Sequence, residues 1–260
     1  MRDHPHTIVP AGHVEPVPRR VRAVLGGTVV LDTVRALYLW EWPYYPWYHI
    51  PLADVRTDLL VDGQPEDDPR GIAALGYGLR SESLHRPDAA LVYPGEFTDP
   101  ASATGPAGTV RFRWSALDSW LEEEEEVFVH PRNPYTRVDA LRSGRSVRIE
   151  RDGVVLAESS SPVMVFETGL PTRYYLDRAT VNFGYLRASD TVTACPYKGR
   201  TSGYWSVCIG AATYPDLAWT YQFPTRELSP VAGLVAFYNE QVDITLDGVR
   251  QQRPTTHFFS

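Results

Sequence analysis

Apolar and polar residues alternate over short stretches along much of the chain, and glycine, proline and aspartate interrupt the pattern every few residues. Two such stretches within residues 21–33 are joined by Gly26-Gly27, and two within residues 147–159 are joined by Asp152-Gly153. Two-residue turns between stretches rich in β-branched residues predict β-hairpins. A third apolar stretch follows each hairpin, and its period of two predicts a strand with one buried face. The pattern predicts a mainly β fold.

The chain contains an internal repeat. Residues 21–60 align without a gap with residues 147–186 at an offset of 126, and nine of the 40 positions are identical. Similarity at a constant offset indicates a duplicated unit. We therefore predict a flexible N-terminal arm over residues 1–19, a first repeat over residues 20–135 and a second repeat over residues 136–260.

Each repeat is expected to contain one short helix. Ser115 and Asp118 resemble a capping box, so a helix would begin at Ser115 and end in the acidic run at residues 122–126. Ser229-Pro230 would supply the N-cap and the first helical residue of a second helix that leads into residues 231–237. Residues 62–70 and 94–108 are polar and rich in proline or glycine, and are expected to be loops or a lid.

Composition and charge narrow the function classes. The formal net charge is −7, which argues against binding of nucleic acid or of an anionic membrane. The many aromatic residues (9 Phe, 7 Trp and 15 Tyr) argue against disorder, and two cysteines are too few for a disulfide scaffold or a four-cysteine zinc site. Secretory and membrane-spanning patterns are absent, so a cytoplasmic protein is expected. No phosphate-loop, dinucleotide or metalloprotease motif occurs, so neither a cofactor nor a metal ion is expected.

Two glutamates occupy the same position in the repeats. Glu41 and Glu167 each end an apolar stretch beside aromatic residues. A buried carboxylate must find a partner or shift its pKa upward, because burial disfavours the charged form. Either glutamate would be a general acid or base or a substrate anchor, or it would be a structural carboxylate that accepts backbone N–H bonds.

The segment at residues 195–199 concentrates reactive groups. Lys198 beside aromatic residues would have a lowered pKa and act as a base or amine nucleophile, or it would stabilise charge electrostatically. Cys195 would be a nucleophile only where a base or a helix N-terminus stabilises its thiolate. The alternatives are a turn built from Pro-Tyr-Lys-Gly and a small buried thiol.

Further residues are candidates for substrate binding. Arg173 would hold a carboxylate or phosphate, or would pair with a structural glutamate. His130 and Asn239 each follow an aromatic stretch and precede a Val-Asp pair, so they are expected to be counterparts. The complete set of expected binding residues is Arg173, Tyr174, Tyr204, Trp205, Tyr238, Asn239, Glu41 and His130.

Four stretches of the second repeat together resemble the DUF427 family. They are ETGLPTRYY at residues 167–175, CPYKG at 195–199, YWS at 204–206 and LVAFYNE at 234–240. The first repeat resembles a divergent partner through WEWPYY at residues 40–45 and FVHPR at 128–132. The resemblance covers nearly the whole chain after the arm and implies two small, mostly β domains of the β-tent type in tandem. It implies little about function, because the family is largely uncharacterised.

The expected function is that of a metal-independent enzyme of the hydrolase or lyase type. It would act on a small polar or aromatic metabolite in an aromatic pocket, with Glu167, Lys198 and Cys195 as catalytic residues. The alternative is a non-catalytic protein that binds a small molecule in an aromatic cage. The expected partners are a small-molecule ligand or substrate, without nucleic acid or membrane, and a homo-oligomer is compatible with the sequence.

Overall fold

The computed structural model describes residues 9–97, 99–256 and 259. These residues divide into two compact units, the first ending at Tyr135 and the second beginning at Thr136. Both units are mainly β, as the alternation predicted, and the helical elements of the described residues are all short 3-10 turns.

The first unit contains eleven strands in its described residues. They are β1 (Val14–Pro16), β2 (Val21–Leu25), β3 (Thr28–Thr33), β4 (Leu37–Leu39), β5 (Trp47–Pro51), β6 (Leu60–Asp67), β7 (Ala73–Arg80), β8 (His85–Val92), β9 (Thr109–Phe112), β10 (Ser119–Glu122) and β11 (Glu125–Val127). A seven-stranded sheet has the order β1-β4-β5-β9-β8-β7-β6, and a four-stranded sheet has the order β11-β10-β2-β3. The 3-10 turns are Leu52–Asp54, Thr57–Leu59, Pro100–Ser102 and Trp114–Ala116.

The second unit contains thirteen strands in its described residues. They are β12 (Val138–Arg142), β13 (Val147–Arg151), β14 (Val154–Ser159), β15 (Val163–Glu167), β16 (Arg173–Leu176), β17 (Leu186–Ser189), β18 (Ala194–Cys195), β19 (Gly199–Arg200), β20 (Gly203–Ile209), β21 (Ala212–Thr220), β22 (Val235–Phe237), β23 (Asp243–Leu246) and β24 (Val249–Arg250). The sheets have the orders β12-β15-β16-β22-β21-β20-β17 and β14-β13-β23-β24, with β18 and β19 as a separate pair. The 3-10 turns are Arg178–Thr180, Phe183–Tyr185 and Arg226–Val231.

The repeat predicted from residues 21–60 extends through both units. The two large sheets have the same strand order, position by position, and so do the two small sheets. Register irregularities also match, since both β2 and β13 shift register after their third residue, at Ala23 and at Ile149. The separate strands β18 and β19 distinguish the second unit, and they lie in the connection between β17 and β20.

The core of each unit lies between its two sheets. In the second unit, Ile149 and Ile244 of the small sheet join Leu176, Val207 and Phe237 of the large sheet in one buried cluster. These apolar positions alternate with others along the strands, because successive side chains of a strand point to opposite faces. The large sheet of this unit therefore has a second face, on which a separate buried cluster forms.

Each predicted helix is shorter than expected and is a 3-10 turn. The helix expected from Ser115 is a single 3-10 turn followed by β10, which pairs with β2, and the acidic run forms the turn of the β10–β11 hairpin. Glu123 in that turn has φ 50°, a value common in tight hairpin turns. The helix expected from Ser229 ends at Val231, and the rest of that segment becomes β22, because pairing with β16 and β21 outweighs the local helical signals.

The region expected to be an arm contributes a strand. Val14–Pro16 forms β1, which pairs with β4, and Val9 and Val17 are buried. Residues 1–8 of the expected arm lie outside the described residues. All three residues of β4 are buried, so this strand is buried on both faces rather than on the one predicted. Residues 62–67, expected to be a loop or lid, belong to strand β6.

Candidate functional site

Glu167 and Lys198 form a buried ion pair in the second unit. Glu167 is the last residue of β15, and Lys198 lies in the turn that joins β18 to β19. The Lys198 ammonium donates a hydrogen bond to Glu167 Oε2, and the two side chains are only 11% and 7% exposed. The two residues that the sequence proposed are therefore adjacent, and each satisfies the charge of the other.

The electrostatics of Lys198 are opposite to those predicted. Burial alone would lower the pKa of Lys198, but the Glu167 carboxylate, with Cys195 and Tyr175 nearby, raises that pKa above its ordinary value. The prediction of a lowered pKa is wrong, because the sequence did not reveal that the one nearby carboxylate would contact the amine. The raised pKa favours the ammonium form of Lys198 at neutral pH.

Cys195 is close to this pair but is not activated by it. Its Sγ lies 4.0 Å from Lys198 Nζ. Burial raises the pKa of the Cys195 thiol, although the ammonium acts in the opposite direction. The condition for a nucleophilic thiolate is therefore not met in this arrangement.

Arg173 and Glu240 form a second buried ion pair in the same unit. Arg173 begins β16, and its two terminal nitrogens donate to both oxygens of Glu240 at 2.6 and 2.7 Å. Burial would raise the pKa of Glu240, but the hydrogen bonds and charge of Arg173 hold it below its ordinary value. Arg173 therefore pairs with a structural glutamate, which is the second of its two predicted alternatives. A ligand carboxylate would need the same bidentate geometry that Glu240 adopts.

An aromatic layer lies on the same sheet face as Arg173. We call Tyr175, Tyr204, Trp219 and Tyr238 the second-unit layer. Trp219 Nε1 donates to the Tyr175 hydroxyl at 3.2 Å, and the hydroxyls of Tyr204 and Tyr238 are hydrogen-bonded at 3.1 Å. The rings of Trp219 and Tyr238 are 4.4 Å apart. Burial raises the pKa of Tyr175 to about 12, so this hydroxyl stays protonated.

Two residues predicted to line the same site face the other way. Tyr174 packs in the core between the sheets, and Trp205 packs against that core beside Phe183, with ring centroids 5.6 Å apart. The physical reason is the period of two in a strand, which places Tyr174 opposite Tyr175 and Trp205 opposite Tyr204. Tyr174 and Trp205 are therefore structural.

Asn239 and His130 are not counterparts. Asn239 follows β22, and its side-chain amide donates to the Thr172 carbonyl at 2.8 Å. His130 follows β11, whose position in the small sheet is that of β24 in the second unit. The two Val-Asp pairs do not occupy equivalent positions, because Val138 begins β12, which corresponds to β1.

Glu41 is the centre of a polar cluster in the first unit. We call Glu41, His49, Arg70 and Arg111, with Trp47, the first-unit cluster. Arg111 Nη2 lies 3.0 Å from Glu41 Oε2, and Arg70 Nη2 lies 3.9 Å from Glu41 Oε1. Burial would raise the pKa of Glu41, but a hydrogen bond with His49 and the positive charges of Arg111 and Arg70 hold that pKa below its ordinary value. The guanidinium of Arg111 also lies 4.1 Å from the ring centre of Trp47.

The sequence did not identify His49, Arg70 or Arg111. The repeat gave one indication for His49, because the offset of 126 aligns it with Tyr175 of the second-unit layer. Arg70 lies between β6 and β7, the connection that corresponds to the one carrying Lys198. The sequence indicated no equivalent of Lys198 in the first repeat, but the structure places Arg70 near Glu41 from that same connection.

His130 contacts the first-unit aromatic segment. Its ring stacks on Tyr45, with centroids 3.7 Å apart and planes inclined by 8°. The distance between His130 Nδ1 and the Pro131 carbonyl is 2.7 Å. Of the predicted site residues, Glu41 and His130 belong to the first unit and the other nine to the second.

Between residues 9 and 256, leaving out residue 98, no group of three or more His, Cys, Asp or Glu side chains is arranged to hold a metal ion. In the same part of the chain, no helix is long and apolar enough to cross a membrane.

Comparison with known families supports the duplication seen in the sheets. The family described as a domain of unknown function, DUF427, matches the chain twice, over residues 13–123 and over residues 139–248. A search of curated proteins found no match. The first segment starts one residue before β1, and the second starts one residue after the beginning of β12. The chain belongs to the DUF427 family and carries two copies of its domain.

Proposed function

We propose that this protein binds a small polar or aromatic molecule without converting it, at Tyr238 and Glu240 of the second unit. The single observation that carries the proposal is that Thr256 and Phe259 contact these two side chains. Thr256 Oγ1 donates to Glu240 Oε1 at 2.7 Å, and the Phe259 ring lies 4.9 Å from the Tyr238 ring at 71°.

These two contacts resemble those of a bound ligand. Residues 251–256 belong to no strand or helix, so few backbone hydrogen bonds hold them in place. An aromatic molecule with a hydroxyl or amino group would stack on Tyr238 and donate to Glu240 in their place. Arg173 keeps Glu240 ionised, and hydrogen bonds to a charged acceptor are roughly twice as strong as neutral ones.

Binding is favoured over catalysis by the state of the predicted catalytic groups. Lys198 is held as an ammonium by Glu167, and the pKa of Cys195 is raised by burial. A base or nucleophile must instead be poised near the operating pH. A metal-independent hydrolase or lyase is the second candidate. The observation that favours it is the proximity of Lys198 to Glu167, because the Lys198 ammonium would stabilise negative charge in a transition state.

The test compares two neighbouring threonines with tyramine as the probe. Thr256→Val removes the hydroxyl that occupies Glu240, whereas Thr255→Val changes an exposed residue one position earlier. We expect T256V to bind tyramine about 10-fold more tightly than T255V by ligand-observed NMR, because one hydrogen bond to a charged group no longer competes. Equal affinities of the two variants would contradict the proposal.

The same experiment addresses the enzyme alternative. Bound small molecules released from the purified full chain, and tyramine after long incubation, should be recovered chemically unchanged by mass spectrometry. Conversion of a bound molecule that is lost in Lys198→Met and Glu167→Gln would establish the enzyme instead.

We also propose a cytoplasmic location. The support is that both cysteines, Cys195 and Cys208, are free thiols, as is usual in a reducing compartment. Subcellular fractionation tests this, and recovery of the chain outside the cytoplasm would contradict it.

A further inference from the structure

Residues 251–256, which we call the strap, follow β24 and lead back to Glu240. The Gln251 N–H donates to the Ile244 carbonyl at 2.7 Å, and the rest of the strap belongs to no strand or helix. The other strap residues are exposed or half-buried, but Thr256 is only 6% exposed and donates to Glu240. The strap is therefore attached at both ends, to the small sheet and to the proposed ligand site.

Arg253 attaches the middle of the strap to the small sheet. Its Nε donates to Asp243 Oδ1 at 3.1 Å, and its Nη2 lies 3.0 Å from the same oxygen. Asp243 begins β23, and its side chain faces away from the core that contains Ile244. Burial would raise the pKa of Asp243, but hydrogen bonds from Arg250 and Arg253 and their charges hold it below its ordinary value. Asp243 is therefore an ionised partner for Arg253 at neutral pH.

This ion pair is open to solvent. The side chains of Arg253 and Asp243 are 40% and 23% exposed, and both residues line a surface recess of about 530 Å³. A solvent-exposed ion pair contributes modestly to stability and contributes less at high salt, because dissolved ions screen it. Solution conditions can therefore change how often the strap opens.

We propose that the ion pair between Arg253 and Asp243 regulates access to Glu240 by holding the strap closed. Thr256 contacts Glu240 Oε1 when the strap is closed, so a ligand of Glu240 binds the open form. Because apparent affinity falls with the fraction of protein that is competent to bind, loosening the strap strengthens ligand binding. The effect on a ligand rests on the function proposed above, whereas the opening of the strap does not.

Arg250 provides a matched control. Its Nη2 lies 2.9 Å from Asp243 Oδ1, the same oxygen that Arg253 contacts, but Arg250 belongs to β24 and not to the strap. Arg250→Gln and Arg253→Gln therefore each remove one positive charge beside Asp243, and only the second frees the strap.

The first experiment measures strap opening in the full chain without a ligand. Thr256→Cys places a thiol at the buried end of the strap, and iodoacetamide reaches this thiol when the strap opens. Mass spectrometry of the peptide that contains the substitution gives the rate of alkylation. Adding R253Q should speed alkylation about 3- to 5-fold, the size expected for an exposed ion pair, whereas adding R250Q should change it less than about 2-fold.

The reactivity of the thiol itself does not explain such a difference. Both arginine substitutions remove a positive charge, which raises the pKa of a nearby thiol and slows alkylation. Thr255→Cys, at an exposed position, corrects for the remaining effects on reactivity. Equal rates of alkylation with R253Q and with R250Q would overturn the proposal.

The second experiment changes the salt concentration. Raising NaCl from about 0.01 to about 1 M shortens the Debye length from about 30 to about 3 Å. Alkylation of T256C should then accelerate, relative to T255C, whereas alkylation of T256C with R253Q should not respond. An equal response to salt with and without R253Q would contradict the role of this ion pair.

The third experiment distinguishes failure of this inference from failure of the proposed function. Tyramine should bind R253Q about 3- to 5-fold more tightly than R250Q at low salt. Adding T256V to both should reduce the difference to less than about 2-fold, because the strap then no longer occupies Glu240. An undiminished difference would overturn the inference. If R253Q speeds alkylation but tyramine binds none of the variants, the proposed function is wrong and the opening of the strap is confirmed.

Discussion

Lys198→Met should destabilise the second unit far more than loss of an exposed ion pair. The change keeps most of the side-chain volume but leaves Glu167 without its partner in a site where its side chain is only 7% exposed. Removing one member of a buried pair costs about 3–5 kcal/mol, because the remaining charge is desolvated and unpaired. Removing both charges, in the double variant with Glu167→Gln, should cost at least about 2 kcal/mol less than the sum of the single changes.

The control is an ion pair of the same unit that is open to solvent. Arg145 and Asp247 contact each other at 2.6 Å, with side chains 49% and 46% exposed. Arg145→Met should cost no more than about 1 kcal/mol, since solvent screens this pair. The comparison separates the effect of burial from the effect of removing a positive charge.

Hydrogen exchange measured by mass spectrometry reports each unit separately. Amides of β15 and β16 should lose protection in K198M by about 3–5 kcal/mol. Amides of β4 and β5 in the first unit serve as an internal reference. A loss in K198M no larger than that in R145M would refute the reasoning that the Lys198 pair is buried and coupled.

Two further predictions concern stability. Gly108→Ala should cost at least about 2 kcal/mol in a urea unfolding curve, because Gly108 has φ +69° and a Cβ would overlap the backbone nitrogen of Phe97. Gly210→Ala, at φ +59° in open space, should cost only about 1–2 kcal/mol, and equal losses would contradict the steric argument. Because Arg173 lowers the pKa of Glu240, this pair stabilises the fold above about pH 4.3, the ordinary value for a glutamate, and the stabilisation is lost as pH falls through the lower folded pKa. The unfolding temperature of Glu240→Gln should therefore change less with pH than that of the wild type across this acidic range. An equal change of unfolding temperature with pH in the two proteins would contradict this prediction.

The strands that begin each repeat could be predicted because their signals are local. Gly26-Gly27 and Asp152-Gly153 specify two-residue turns, and the flanking residues alternate or are β-branched. The four strands that flank these turns form as predicted. Turn chemistry and side-chain alternation depend only on neighbouring residues, so sequence alone is sufficient for such hairpins.

The predicted helices are cut short because strand pairing depends on residues far away in sequence. Ser115 and Ser229 carry genuine helix-starting chemistry, and each lies in a 3-10 turn. The residues that follow instead complete sheets with strands far away in sequence, such as β10 with β2. The local sequence does not indicate that such a partner strand is available.

The candidate site was predicted in part. The sequence identified Glu167, Lys198 and Arg173, but the direction of the Lys198 pKa shift depends on a contact that only the fold creates. The orientation of Tyr174 was readable in principle, because neighbours in a strand face opposite sides. His49 and Arg111 could not be found in the same way, since they approach Glu41 from separate strands.

The most direct test of the central claim is the titration of one nitrogen. Lys198 is the only lysine, so ¹⁵N-lysine labelling gives a single side-chain signal from the whole chain. Our account predicts that Lys198 Nζ remains an ammonium beyond about pH 10.4, the ordinary value for lysine, and that Glu167→Gln brings its pKa down. Deprotonation of the wild-type amine near neutral pH would contradict this account and would make Lys198 available as a catalytic base.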